Sequence, residues 1–326
     1  MPVSREIHLV ARPTGLPRED QFTVVEVAVG DAADGEVLVQ NLYMSVDPVM
    51  RFQLNGMAPL NETLRGAAIG RIVQSKSPAF AVGDIVSHYL GFREYFRSDG
   101  EGLTRVSTPE GLPLTVHLNA LGMTGFTAYG GLLRIGQLKP GEQVFVSAAA
   151  GAVGSVASQV ARLKGCRVIG STGSPEKAAW LRDVARLDAA INYRETRIGE
   201  AVRDAAPEGL DVYFDNVGGD HLEAALACMN LLGRIPVCGM ISGYNGADVA
   251  VRTLSAIVQR RVMLRGFNLM DFQDLREPFE REMTGWLRSG DLRSEETVLQ
   301  GIGQAPAALI GLFEGRNLGK MLVRLG

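Results

Sequence analysis

The sequence predicts an α/β protein of two domains, a partly open β-barrel-like domain followed by a doubly wound parallel sheet. Three observations predict it. Short β-type runs broken by turn residues fill residues 1–115. From about Leu118, strand and helix patterns alternate. The first of those strands, Val144-Phe145-Val146, enters a turn of small residues with glycines at 151 and 154 and leaves it as a helix through Val156, Val160 and Leu163.

The β-type runs of the first part are 23–27, 36–42, 69–73 and 84–89. Residues 118–135 can form a helix, and Lys139-Pro140-Gly141-Glu142 is a turn. Candidate strands then lie at 143–147, 167–172, 189–192, 210–214, 233–238 and 262–269. Helical patterns fill the gaps at 153–164, 175–186, 196–205, 220–230 and 252–260, and each strand–helix–strand step is long enough for a crossover. The tail carries helical patterns at 278–287 and 304–312 and ends on a β-type run, 319–325, expected to return to the first domain.

The 326 residues carry a formal net charge of −3, which supplies no basic field for nucleic acid or an anionic membrane surface. The mostly apolar stretch 144–160 contains serines and glycines and reads as strand plus helix rather than a membrane span. Met1-Pro2-Val3-Ser4-Arg5 has no apolar signal region, and Cys166, Cys228 and Cys238 are unclustered, so a cytoplasmic, reducing location is the default expectation.

The strand–turn–helix at 143–155 suits a dinucleotide pyrophosphate, because glycines permit close backbone approach and a helix N-terminus offers free N–H groups. Its spacing is A-x-G-x-x-G, from Ala149, Gly151 and Gly154, so its surroundings must decide. NAD-type sites end the second strand on an acidic residue that binds the ribose hydroxyl. Here that strand ends Ser171-Thr172-Gly173-Ser174, and Lys177 falls in the next helix turn. Donors and a cation suit a 2′-phosphate, so NADP(H) is favoured. The alternative makes Lys177 a solvated lysine and Glu176 the ribose ligand. Tyr193, after the third strand, can reach the same phosphate or stack on adenine, or can simply pack. Asn216 either bonds a ribose or nicotinamide or forms an Asx turn.

These motifs resemble the zinc-independent medium-chain reductases that include prostaglandin reductase/leukotriene B4 dehydrogenase, plant alkenal double-bond reductases and bacterial curcumin reductases. The resemblance spans nearly the whole chain, through 41–48 (NLYMSVDP), 121–129 (LGMTGFTAY), Ala149–Ser155, 163–166, Asp215-Asn216-Val217-Gly218-Gly219, 234–239 (RIPVCG) and Asn317-Leu318-Gly319-Lys320. It implies a GroES-like catalytic domain at 1–117, completed by 290–326, and a Rossmann domain at 118–289, with the active cleft between them. It implies NADP contacts at Ala152, Val153, Gly154, Ser155, Lys177, Tyr193, Asn216, the 238–244 loop (Cys238, Gly239, Met240, Ile241, Ser242, Tyr244), Phe267, Asn268, Leu269 and Asn317. Ser174 joins them from the strand-end reading. The implied reaction moves a hydride from NADPH to the β-carbon of an enal or enone, followed by protonation of the α-carbon. Two residues depart from the family pattern: Val49 stands where a Tyr often follows Asp47-Pro48, and Gln259 aligns with a Tyr proposed as proton donor in plant members.

His8, His88, His117 and His221 have no ligand spacing, and Arg65-Gly66-Ala67-Ala68 stands where zinc members carry His and Glu, so no metal is expected. Reduction of a conjugated C=C needs only hydrogen-bond donors to hold the developing enolate oxygen. Tyr244 is the candidate for holding that oxygen or relaying a proton, with packing or cofactor contact as its other reading. Tyr43 is another candidate, with core packing as its other reading, Asp47 and Arg51 either shape the cleft or fill a local Asp–Arg structural role, and water is an alternative proton source. The competing functions are an NADPH quinone reductase and a non-catalytic NADPH-binding protein. The edge strand 262–269 suggests a homodimer with a small-molecule substrate.

Overall fold

The computed structural model describes residues 2–326, which form two compact units. One holds the chain up to Leu118 together with Glu296–Gly326, and the other holds Asn119–Glu295. The return therefore lies at Glu295, past the expected 290. Residues 291–295 stay with the second unit because Gln159 bonds both the N–H and the carbonyl of Arg293, and Asn119 and Trp180 bond Ser294 and Glu295.

The first unit is a barrel-like array. Its main sheet runs in the order Glu296–Gln300, Lys320–Arg324, Val37–Ser45, Ala68–Ser75, Ile85–His88 and Thr104–Arg105, with Tyr95–Ser98 also on Val37–Ser45. The tail strand pairs with Ser45, Met44 and Tyr43. Val3–Leu9 and Phe22–Ala28 form a separate antiparallel pair. Val3–Leu9 escapes recognition in the sequence because its pattern is inverted: Val3 is exposed whereas Ser4 and Glu6 are buried.

The second unit is a six-stranded parallel sheet in the order Ala189–Asn192, Arg167–Thr172, Gln143–Val146, Leu210–Phe214, Met229–Val237, Met263–Gly266. Counted along the chain this is 3-2-1-4-5-6, the Rossmann order. Helices Ala152–Leu163, Pro175–Asp183, Ile198–Ala205, Gly219–Cys228 and Ser255–Arg260 connect the strands. All four residues of the first strand are buried, as a strand covered on both faces requires.

Two elements differ from expectation. The helix expected over 118–135 is instead a short 3-10 turn, Leu114–Leu118, and a helix, Met123–Gly130, that widens at Gly131–Ile135. The break falls at Asn119, whose carbonyl accepts from Gly122, Gly125 and the Thr124 hydroxyl. The fifth strand begins early, at the buried Met229, and its register against Leu210–Phe214 shifts across a turn in which Leu232 is left-handed. Among the described residues no helix is long and apolar enough to cross a membrane.

Candidate active site

The parallel sheet gathers the expected cofactor residues of the second unit at the C-terminal ends of its strands, where open α/β sheets bind ligands. After Gln143–Val146 the chain turns through Ala148, which is left-handed, into helix Ala152–Leu163. Gly151 precedes the helix without any side-chain cap. The N–H groups at Ala152, Val153 and Gly154 are therefore not capped by it and can serve an anion. A Cβ on Gly154 would run into the Ala148 carbonyl oxygen, so this glycine seats the helix on its own turn. Ser155 is buried, with its hydroxyl on the Ala152 carbonyl.

The second strand ends without a carboxylate. Ser174 caps helix Pro175–Asp183, accepting from the Lys177 N–H at 3.3 Å. The exposed Glu176 carboxyl is lowered in pKa first by its own backbone N–H and then by the Ser174 hydroxyl. Ser174 thus has a structural duty that the strand-end reading did not show. Burial lowers the Lys177 pKa, and the charge of Arg194 lowers it further. Tyr193 donates its N–H to the Thr172 carbonyl at 3.1 Å. A Cβ on Gly173 would meet the Tyr193 hydroxyl at 2.7 Å and Arg194 Nε at 3.4 Å, so glycine admits both side chains. Arg194 went unnoticed in the sequence, where the only signal is its place one residue after Tyr193.

The 215–219 turn is tied to the first strand by a buried polar cluster. Asp215 Oδ1 accepts from the Tyr213 hydroxyl at 2.6 Å, Gly218 N–H at 2.8 Å and Val217 N–H at 2.9 Å. Burial raises its carboxyl pKa, against these donors. The Asx turn therefore belongs to Asp215, and Asn216 instead donates its side-chain amide to the Ser147 carbonyl at 2.8 Å.

The 238–244 loop lies on this turn. Cys238 and Gly239 donate to the Asp215 carbonyl, and the Ser242 hydroxyl donates to the Val217 carbonyl at 2.6 Å. Burial, with the Asp215 charge, pushes the Cys238 thiol up to about 12, which leaves it inert. The Tyr244 hydroxyl accepts from the Met240 N–H at 3.4 Å, and burial raises its pKa, so it stands as a neutral phenol.

Several other expected residues have side chains engaged within their own unit. Phe267 packs on Phe214 and Phe272. Asn268 accepts from the Met270 N–H at 3.1 Å and caps the turn Leu269–Leu275. Asn317 lies in the first unit, where it donates to the Gly319 carbonyl at 2.7 Å. There too Asp47 pairs with Lys320 at 3.0 Å, and the Arg51 side chain holds the Gly15 carbonyl at 2.8 Å. Tyr43 is partly buried beside Ile69, Leu118 and Leu322.

Two family models match the chain, an N-terminal domain of oxidoreductase over residues 5–106 and a zinc-binding dehydrogenase domain over 152–284. Among the described residues no three His, Cys, Asp or Glu side chains converge to hold a metal. Prostaglandin reductase 1 of Bos taurus is 42% identical over 95% of both chains. The NADP(+)-dependent 2-alkenal reductase of Nicotiana tabacum is 36% identical over 98% of this chain and 97% of its own. The crystal structure of CurA in complex with NADPH from Vibrio vulnificus superposes with a TM-score of 0.92, at 37% identity over 99% of both chains. With such similarity along its full length, the chain belongs to the zinc-independent reductases of the medium-chain dehydrogenase/reductase family.

Proposed function

We propose that this protein is an NADPH-dependent reductase of the C=C bond of α,β-unsaturated aldehydes and ketones. The observation that carries the cofactor choice is the convergence of the Tyr193 hydroxyl and Arg194 Nε on Gly173, at a strand end without a carboxylate, with the Arg194 charge also felt at Lys177. Cations and a phenol hydroxyl arranged in this way suit a 2′-phosphate dianion. The acceptor class follows from the 2-alkenal and prostaglandin reductases at similar length and high coverage.

Lys177, Arg194 and Tyr193 would hold the 2′-phosphate, and the N–H groups at 152–154 would hold the pyrophosphate. Bound NADPH supplies the hydride for the β-carbon. Tyr244, as a neutral phenol, donates a hydrogen bond to the acceptor oxygen as enolate charge develops. The Asp215 cluster fixes the 215–219 turn and the loop bearing Tyr244, so the donor need not reorganise during reaction. The three free thiols suit a reducing cytoplasm. The exposed edge strand Met263–Gly266, with Val258 and Met270 exposed nearby in sequence, supports homodimer pairing across a two-fold axis.

The decisive experiment follows NADPH absorbance with a panel of enals, enones and quinones. Turnover of enals and enones at higher kcat/KM than quinones is expected. Failure to turn over any conjugated acceptor overturns the proposal.

A further inference from the structure

His221 has no part in the chemistry above, yet it is 6% exposed and lies in the first turn of helix Gly219–Cys228. Its ring meets that of Tyr193 edge to face, with centroids 5.1 Å apart and planes at 84°. Against its other neighbour, Phe145 of the first strand, it lies parallel at 6.5 Å. Phe145 in turn stacks on Tyr213 at 5.0 Å, so the imidazole rests on a fully buried aromatic row. His221 Nε2 has no hydrogen-bond partner among the described residues. Burial pushes its pKa down to about 4, which keeps the ring neutral. A buried nitrogen without a partner costs stability that an apolar ring would not. A hydrogen bond at Nε2 therefore does not explain the side chain, whereas its edge-to-face contact with Tyr193 does.

Tyr193 needs such support. It is 39% exposed, and among the described residues His221 is its one ring contact. Its backbone is fixed through Thr172, but that bond leaves the phenol free to turn away from Gly173.

We propose that His221 is a positioning residue for Tyr193, holding the phenol beside Gly173 for the 2′-phosphate and thereby favouring NADPH over NADH. This rests on the phosphate site assigned above. No proton moves to or from His221 in this role; it acts through shape.

The test is nucleotide titration of the full-length protein, by fluorescence, with NADPH and NADH. The variants are His221→Leu, His221→Phe, Tyr193→Ala and His221→Leu combined with Tyr193→Ala. His221→Leu should raise the Kd for NADPH about three- to tenfold, leave that for NADH within twofold, and leave kcat at saturating NADPH unchanged. His221→Phe, which keeps a flat ring, should restore most of the loss. In the Tyr193→Ala background, His221→Leu should add nothing. Thermal melts of the four proteins identify any loss that comes from misfolding, and His221→Phe keeps the test alive if the leucine variant is unstable. Equal weakening of both nucleotides, or an undiminished effect of His221→Leu without Tyr193, overturns the positioning role. If Tyr193→Ala leaves the NADPH preference unchanged, the phosphate-site reading itself fails.

Discussion

Arg194 Nε and the Tyr193 hydroxyl converge on Gly173, and the Arg194 charge, after burial, lowers the pKa of Lys177 on the neighbouring segment. Two like charges drawn together beside a phenol hydroxyl weaken the unliganded protein and strengthen its grip on a dianion. Lys177→Ala should therefore raise the KM for NADPH by about 10- to 100-fold, the scale of a lost charged hydrogen bond, with little change for NADH. Arg194→Ala should act in the same direction without lowering the melting temperature of the free protein. Equal effects on the two nucleotides would refute the assignment.

Tyr244→Phe separates chemistry from packing. The ring remains and only the hydroxyl at the Met240 N–H is lost. We expect kcat to fall about tenfold or more while the Kd for NADPH holds, as for removal of a donor to a developing oxyanion. Steady-state kinetics at saturating NADPH give the answer, and an unchanged kcat leaves Tyr244 with a packing role alone.

Gly154→Ala should disturb both fold and binding. Its methyl would strike the Ala148 carbonyl, a backbone atom that cannot swing aside. Overpacking of this kind costs about 1–3 kcal/mol. Differential scanning calorimetry should show a melting temperature lowered by several degrees, together with weaker NADPH binding.

In the first unit, Lys320 is fully buried, with its ammonium on Asp47 and on the Val46 carbonyl at 2.8 Å. Asp47→Asn should cost about 3 kcal/mol by leaving the buried charge uncompensated. Urea denaturation measures this. Adding Lys320→Met to Asp47→Asn should recover part of the loss, because the stranded charge is then gone.

Acid stability should depend on two buried imidazoles. Burial pushes His221 down to about 4, and burial with the Arg93 charge pushes His88 down to about 3, from 6.5. Below pH 6.5 the unfolded chain binds protons that the folded chain refuses, so stability falls as pH drops towards those values. At about 1.4 kcal/mol per pKa unit, His221 alone removes about 3 kcal/mol by pH 4. Asp215, whose carboxyl is pushed up by burial, works in the opposite sense at the acid end. Melting curves from pH 7 to 4 should flatten in His221→Phe relative to the parent protein.

Much of the fold was legible because its signals are local. Alternation of apolar runs with helical patterns marks the Rossmann elements within a few residues, since most strands here are short and bounded by turn residues. Val3–Leu9 is not legible because its buried Ser4 and Glu6 break the apolar pattern, and the break at Asn119 is not legible because apolar periodicity carries no sign of the Gly122, Thr124 and Gly125 bonds to its carbonyl.

The glycine turn at 151–154, the strand end at Ser171-Thr172-Gly173 without a carboxylate, and the likeness to zinc-free reductases are all written in the order of residues alone. Folding, by contrast, selects which polar atoms are spent on holding the chain together. It set Ser174, Asn216 and Asn268 to caps and turn ties, paired Lys320 with Asp47, and brought Arg194 to Lys177 and His221 to Tyr193. The physical reason is that periodicity and turn chemistry act over a few residues, whereas a hydrogen bond, an ion pair or a ring contact exists only after folding closes the distance between its partners.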